Sequence, residues 1–113
     1  MTNLATELYQ LWSSFDIPAY PEYSVPSNAE MPYITYTLPL GDFKDQTTHQ
    51  IRLWYKDTSL VDINSKSDEI IAKIGSGMFL KTFSIFKGQP LSQLQSSEDI
   101  NLKIIYMNFI LDF

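Results

Sequence analysis

The hydrophobic pattern is strongest at the end of the chain, where Ile100 to Phe113 reads INLKIIYMNFILDF. The run is rich in β-branched and aromatic residues and has no Gly or Pro, which predicts a strand. Leu102, Ile104, Tyr106, Asn108, Ile110 and Asp112 share one face; Lys103, Ile105, Met107, Phe109, Leu111 and Phe113 share the other. Both faces are apolar in the middle, unlike a strand with one side in water. The pattern predicts cover on both faces, from the chain's own helices on one and, as one option, from a partner on the other.

Upstream, Leu4, Leu8, Leu11, Trp12 and Phe15 recur at helical spacing and predict a helix over residues 3 to 16. Pro18 ends it. Residues 18 to 32 hold Pro18, Pro21, Pro26 and Pro32 with Tyr20 and Tyr23 between them, which forbids a regular helix. This segment reads either as a stiff surface loop or as an aromatic docking arm. Tyr33 to Leu38 alternates as a short strand. Thr48 to Lys56 is a second, with Ile51, Leu53 and Tyr55 on one face and Gln50, Arg52 and Trp54 on the other. The two predict a hairpin with an unusually long tip carrying Leu40 and Phe43, which reads equally as a contact or as a loop whose apolar residues tuck back under the sheet.

Ser59 is a predicted N-cap, with Asp62 in the first turn of the helix that follows. Leu60, Ile63, Ser67, Ile70, Ile71 and Ile74 form its buried stripe, and Gly75 falls where a left-handed C-cap is wanted. Met78 to Lys87 reads as a third strand, Gly88-Gln89-Pro90 as a turn and Leu91 to Asp99 as a second long loop. The expectation is one α+β domain spanning residues 1 to 113. Its mixed or mainly antiparallel four-stranded sheet consists of two hairpins with two helices on one face, in the order αββαββ.

Composition narrows the function. The 113 residues include 13 acidic and 8 basic side chains, a net charge of −5. That balance argues against non-specific binding to nucleic acid or anionic membranes. The absence of cysteine excludes thiol chemistry, and one histidine makes a zinc site a poor expectation. No apolar run reaches membrane-spanning length, and the acidic start MTNLATELYQLW lacks the cationic opening of a signal peptide. The sequence points to a cytoplasmic protein.

Catalytic chemistry finds little support. His49 lies on a strand, where a lone histidine reads as a surface or satisfied residue. Gly75-Ser76-Gly77 follows a helix and lacks the lysine of a phosphate loop. Asp68-Glu69 reads as a solvated helix face and Glu98-Asp99 as a loop, while Asp42 and Asp45 lack an EF-hand pattern. The expectation is a non-enzymatic chain with no catalytic, metal or cofactor site, acting by contact. Arg52 and Trp54, joined by Phe109 and Leu111, suit an interface better than bare solvent; the alternative is that the first helix and the proline arm cover that face within one chain.

The layout resembles the tail terminator, or tail completion, proteins of long-tailed bacteriophages. The matching stretches are the leading helix ending in LWSSFDIP, the strand PYITYTL after a Pro-rich arm, HQIRLWYKD leading into the helix from Ser59, and the closing IIYMNFILDF. The likeness covers nearly the whole chain but is one of layout, without a diagnostic motif. It implies a homo-oligomeric ring, typically of six, that caps the tail tube, ends tail polymerisation and joins tail to head. The implied partners are the tail tube protein and a head completion or connector protein, with no membrane and with DNA only passing through the lumen. The implied location is the tail–head junction of the virion, with assembly in the host cytoplasm. The hairpin tip would engage a neighbour or the tube through Leu40, Asp42, Phe43, Lys44 and Asp45, and the acidic surplus would face the lumen. A head–tail connector or neck protein is the alternative, and a small nucleic-acid-binding domain a more distant one.

Overall fold

The computed structural model describes residues 4–38, 46–95 and 97–113. The chain runs α1 (Leu4–Ser13), β1 (Ala19–Pro21), β2 (Tyr33–Tyr36), β3 (Gln46–Lys56), α2 (Val61–Ile74), β4 (Met78–Phe79), β5 (Ser84–Gln95) and β6 (Leu102–Asp112). It is α+β, but the expected four-stranded sheet and αββαββ order are overturned. One curled, mixed sheet has six strands in the order β1-β2-β3-β6-β5-β4, with β1 parallel to β2 and the other pairs antiparallel.

Two local causes account for the extra strands. The Pro-rich arm contributes β1 at the sheet edge, where Pro21 does not interrupt an interior ladder. The expected strand from Met78 to Lys87 is broken at Leu80–Phe83, where Leu80 N bonds Phe83 O at 2.8 Å. The break is held by Glu7 of α1. Its carboxylate accepts the Lys81 N–H at 2.7 Å, the Thr82 N–H at 3.1 Å and the Thr82 hydroxyl. The chain folds back there, so β4 is a two-residue edge strand.

The predicted turn at Gly88-Gln89-Pro90 and loop at Leu91–Asp99 are likewise corrected, since β5 continues to Gln95. Gly88 and Pro90 sit instead in a ladder irregularity between Lys87 and Ser92. Asn108 Nδ2 donates to Pro90 O at 2.9 Å across that gap. A Cβ at Gly88 would stand 2.9 Å from the carbonyl oxygen of Asn108, so the close approach requires glycine.

The central pair, β3 and β6, is in register over its whole length, from Gln46 opposite Asp112 to Lys56 opposite Leu102. This register puts Ile51, Leu53, Ile105, Met107, Phe109 and Leu111 on one face, all buried. Both helices pack there. Leu8, Leu11 and Trp12 come from α1, which ends at Ser13 and not at residue 16 as expected, Phe15 comes from the turn after it, and Ile63, Ile70 and Ile74 come from α2. Ser67 is the small residue that lets α2 close over the sheet, its hydroxyl meeting Met107 Sδ at 3.9 Å.

The start of α2 is also corrected. The N-cap position is Leu60, which lends no side-chain bond. Ser59 stands one residue earlier, and its hydroxyl accepts the Val61 N–H at 3.1 Å. Leu60 is exposed rather than part of the buried stripe. At the other end the expected glycine stop is present but not as a left-handed helical cap: Gly75 has φ +58° and ψ −134°, a positive-φ conformation that glycine adopts at little steric cost, and its N–H bonds Ile71 O at 2.9 Å.

Candidate functional site

The lone histidine resolves first. His49 is fully buried, on the same strand parity as Ile51 and Leu53. Trp12 Nε1 donates to His49 Nε2 at 3.0 Å, with the two ring planes 18° apart and their centres 5.8 Å apart. An indole nitrogen only donates, so Nε2 must be the bare nitrogen and Nδ1 carries the proton. Nδ1–H is then directed at Thr37 Oγ1, 3.2 Å away, which also accepts the Gln50 N–H at 3.1 Å. Burial lowers the His49 pKa to about 3. Both ring nitrogens are committed to structural bonds inside the core. Among the described residues, no group of three or more His, Cys, Asp and Glu side chains is placed to hold a metal ion.

Among the described residues, no helix lies on the opposite face of the sheet. Its side chains form a row of aromatic and polar groups held by one another. Tyr20 meets Tyr33 edge-on at 5.7 Å, and Tyr33 lies 6.2 Å from Trp54. Trp54 Nε1 donates to Thr35 Oγ1 at 2.9 Å. Arg52 reaches outward in two directions. Its Nη1 pairs with Glu22 Oε1 at 3.1 Å, just past β1, and its Nε donates to Gln95 Oε1 at 3.3 Å on β5. Each of these strands is two places from β3 in the sheet, so one guanidinium ties the curl together from the centre. Further along, Gln50 Nε2 donates to Asn108 Oδ1 at 3.1 Å and the Tyr106 hydroxyl to Gln93.

This network explains why β6 is apolar on both parities. On the helix-free face Ile104 is 4% exposed and Asn108 is 9% exposed. The sheet's own long side chains shield them without a second layer of helices. Phe109 and Leu111 were expected beside Arg52 and Trp54, but they point the other way. Register pairs Arg52 with Tyr106 and Trp54 with Ile104, whereas Phe109 faces His49 in the core.

No family model, curated protein or solved structure matches the chain. The helix-free face therefore has to be read on its own chemistry.

Of the predicted contact residues, Arg52 and Trp54 sit two residues apart on that face, half-buried. Leu40, Asp42, Phe43, Lys44 and Asp45 lie outside the described residues. Sequence reasoning missed Glu22 and Gln95, the two partners of Arg52. Neither carries a local signal, because sheet curvature and strand order bring them together. Glu7 was also missed, although it did carry one. It sits on the apolar stripe of α1, three residues after Leu4 and four before Leu11, and a carboxylate in such a place needs buried donors.

A cleft of about 630 Å³ opens between α1, the C-terminal end of α2 and β4. Leu11, Met78 and Leu80 line it, Phe79 stands 81% exposed at its side, and Lys73 and Lys81 add positive charge. Lys73 Nζ bonds Ser14 Oγ at 2.7 Å and lies 4.9 Å from the centre of the Phe15 ring.

Proposed function

We propose that this chain is a non-enzymatic assembly subunit that forms a ring at the end of a phage tail tube, ends tail polymerisation and joins tail to head. The observation that carries the contact-based part of this reading is the helix-free face with Arg52, Trp54, Tyr33 and Tyr20 in one ordered row. Arg, Trp and Tyr are the residue types that most often dominate binding energy at interfaces. Thr35, Glu22 and Gln95 already hold Arg52 and Trp54 in place, so docking a partner costs less side-chain entropy than it would on a loose surface. A single-stranded nucleic acid on the same row is less well supported, because Glu22 neutralises Arg52 and the chain is acidic overall. The tail-specific part of the reading rests on the resemblance in layout to tail terminators.

The test is electron microscopy of particles from the phage or prophage carrying the gene, with the gene deleted. Abnormally long tails without heads are expected. Tails of normal length that fail to join heads would move the protein to the head–tail connector reading. Intact infectious particles would overturn both.

A further inference from the structure

The α1–α2–β4 cleft has a complement on the same molecule. The loop before β6 presents Glu98, Asp99 and Ile100, all exposed, with Ile100 at 77%. The loop is ordered by its own bonds. Asn101 N–H donates to Asp99 Oδ1 at 2.9 Å, Leu102 N–H to Asp99 O at 3.0 Å and Lys103 Nζ to Ile100 O at 2.7 Å. It thus offers two carboxylates and one aliphatic side chain on a loop whose backbone these bonds hold. The cleft offers two ammonium groups, Lys73 and Lys81, around an apolar wall that includes Phe79. Glu7 also lines the cleft, but its carboxylate is turned onto the Lys81 and Thr82 N–H groups and the Thr82 hydroxyl.

The two features cannot meet within one molecule. The loop is tied to the residues before α2, through the Asp57 N–H to Asn101 O bond of 2.7 Å. The cleft lies at the other end of α2. Its 14 residues separate the two by roughly 20 Å.

We infer that a second copy of this chain places its Glu98–Asp99–Ile100 loop in the cleft, with the carboxylates toward Lys73 and Lys81 and Ile100 against Phe79. Such a contact is head-to-tail. It uses two different patches, and it generates a closed ring or an open filament rather than a two-fold dimer. The inference rests on the self-assembly part of the proposed function and not on the tail role.

The chain has no cysteine, which makes the test direct. A Phe79→Cys/Ile100→Cys double variant, oxidised at low ionic strength, is expected to give a ladder of covalent species beyond the dimer on a non-reducing gel. Each single variant gives at most a dimer. Both sites are exposed, so the substitutions leave the fold alone, and an internal disulfide is excluded because it needs Cα atoms within about 7 Å. Adding Lys81→Glu should reduce the ladder several-fold, and adding Glu98→Lys to that variant should restore it. No ladder, equal cross-linking by Phe79→Cys alone, or indifference to Lys81→Glu would each overturn the contact. Ladders alongside intact particles from the gene deletion would remove the tail role and leave the contact standing. A tail defect without ladders would do the reverse.

Discussion

Trp12 donates its indole N–H to His49 Nε2 across 3.0 Å at the centre of the core, and this contact sets the state of the histidine. The imidazole must be neutral to accept, and it must carry its proton on Nδ1, facing Thr37. The residue that first suggests chemistry in this sequence is instead a polar pin between α1 and β3.

A pH dependence follows. His49 has a folded pKa of about 3 against an ordinary value of 6.5. Between those values the unfolded chain holds one more proton than the folded one, so stability rises with pH. The contribution is complete well above pH 6.5 and is lost progressively as pH falls toward 3. Urea unfolding between pH 5 and 6.5 measures it before most carboxylates titrate. A His49→Gln variant is expected to be less stable at pH 7 and to lose this slope. Equal slopes in the two proteins would show that His49 does not carry the effect.

Glu7 is the second polar pin. Its carboxylate closes the turn at Lys81 and Thr82 from a helix 74 residues earlier in the chain. Replacing it with Gln removes the charge and directs an amide N–H₂ at backbone donors. A buried, charge-assisted set of this kind is worth about 2 kcal/mol or more. Glu7→Gln should lower stability by that amount and speed hydrogen exchange at the Lys81 and Thr82 amides. A change under about 0.5 kcal/mol, typical of a surface site, would mean the turn holds itself.

Local periodicity revealed both helices, the long strands β3 and β6, and the glycine stop after α2. Those features depend on residues three to four or two apart. Long-range polar bonds stayed hidden. The break at Leu80–Phe83 depends on Glu7, and the continuation of β5 past Pro90 depends on Asn108. The contact face was half legible. Alternation along β3 placed Arg52 and Trp54 together, but only the β3–β6 register shows that Phe109 and Leu111 belong to the other side. His49 shares its parity with Ile51 and Leu53, a hint of burial more telling than its residue type.

Gly77 is a site where backbone and packing both demand glycine. Its φ is +146°, and an added Cβ would stand 2.6 Å from Phe86 Cε1. Gly77→Ala is expected to cost about 1–3 kcal/mol. Trimming Phe86 to Ala in the same chain removes the collision but leaves the unfavourable φ. The double variant should therefore recover part of the coupling and not all of it in a double-mutant cycle. Strict additivity would show that the ring already swings clear.

Arg52 separates a structural role from an interface role. Its pair with Glu22 is about one third exposed on both side chains, and such a pair contributes roughly 1 kcal/mol or less to folding. Arg52→Ala should therefore leave the melting temperature within a few degrees of the parent. A central arginine in a protein interface is worth about 2 kcal/mol or more, close to thirty-fold in affinity. The same variant should then fail to restore particle assembly when supplied to the gene deletion. Glu22→Ala is the control. It removes the ion pair but keeps the guanidinium, with Gln95 still holding Nε. If Arg52 meets a partner directly, Glu22→Ala restores assembly and Arg52→Ala does not. If both variants fold and both restore assembly, the helix-free face is not the working surface, and the head-to-tail cleft has to carry the association alone.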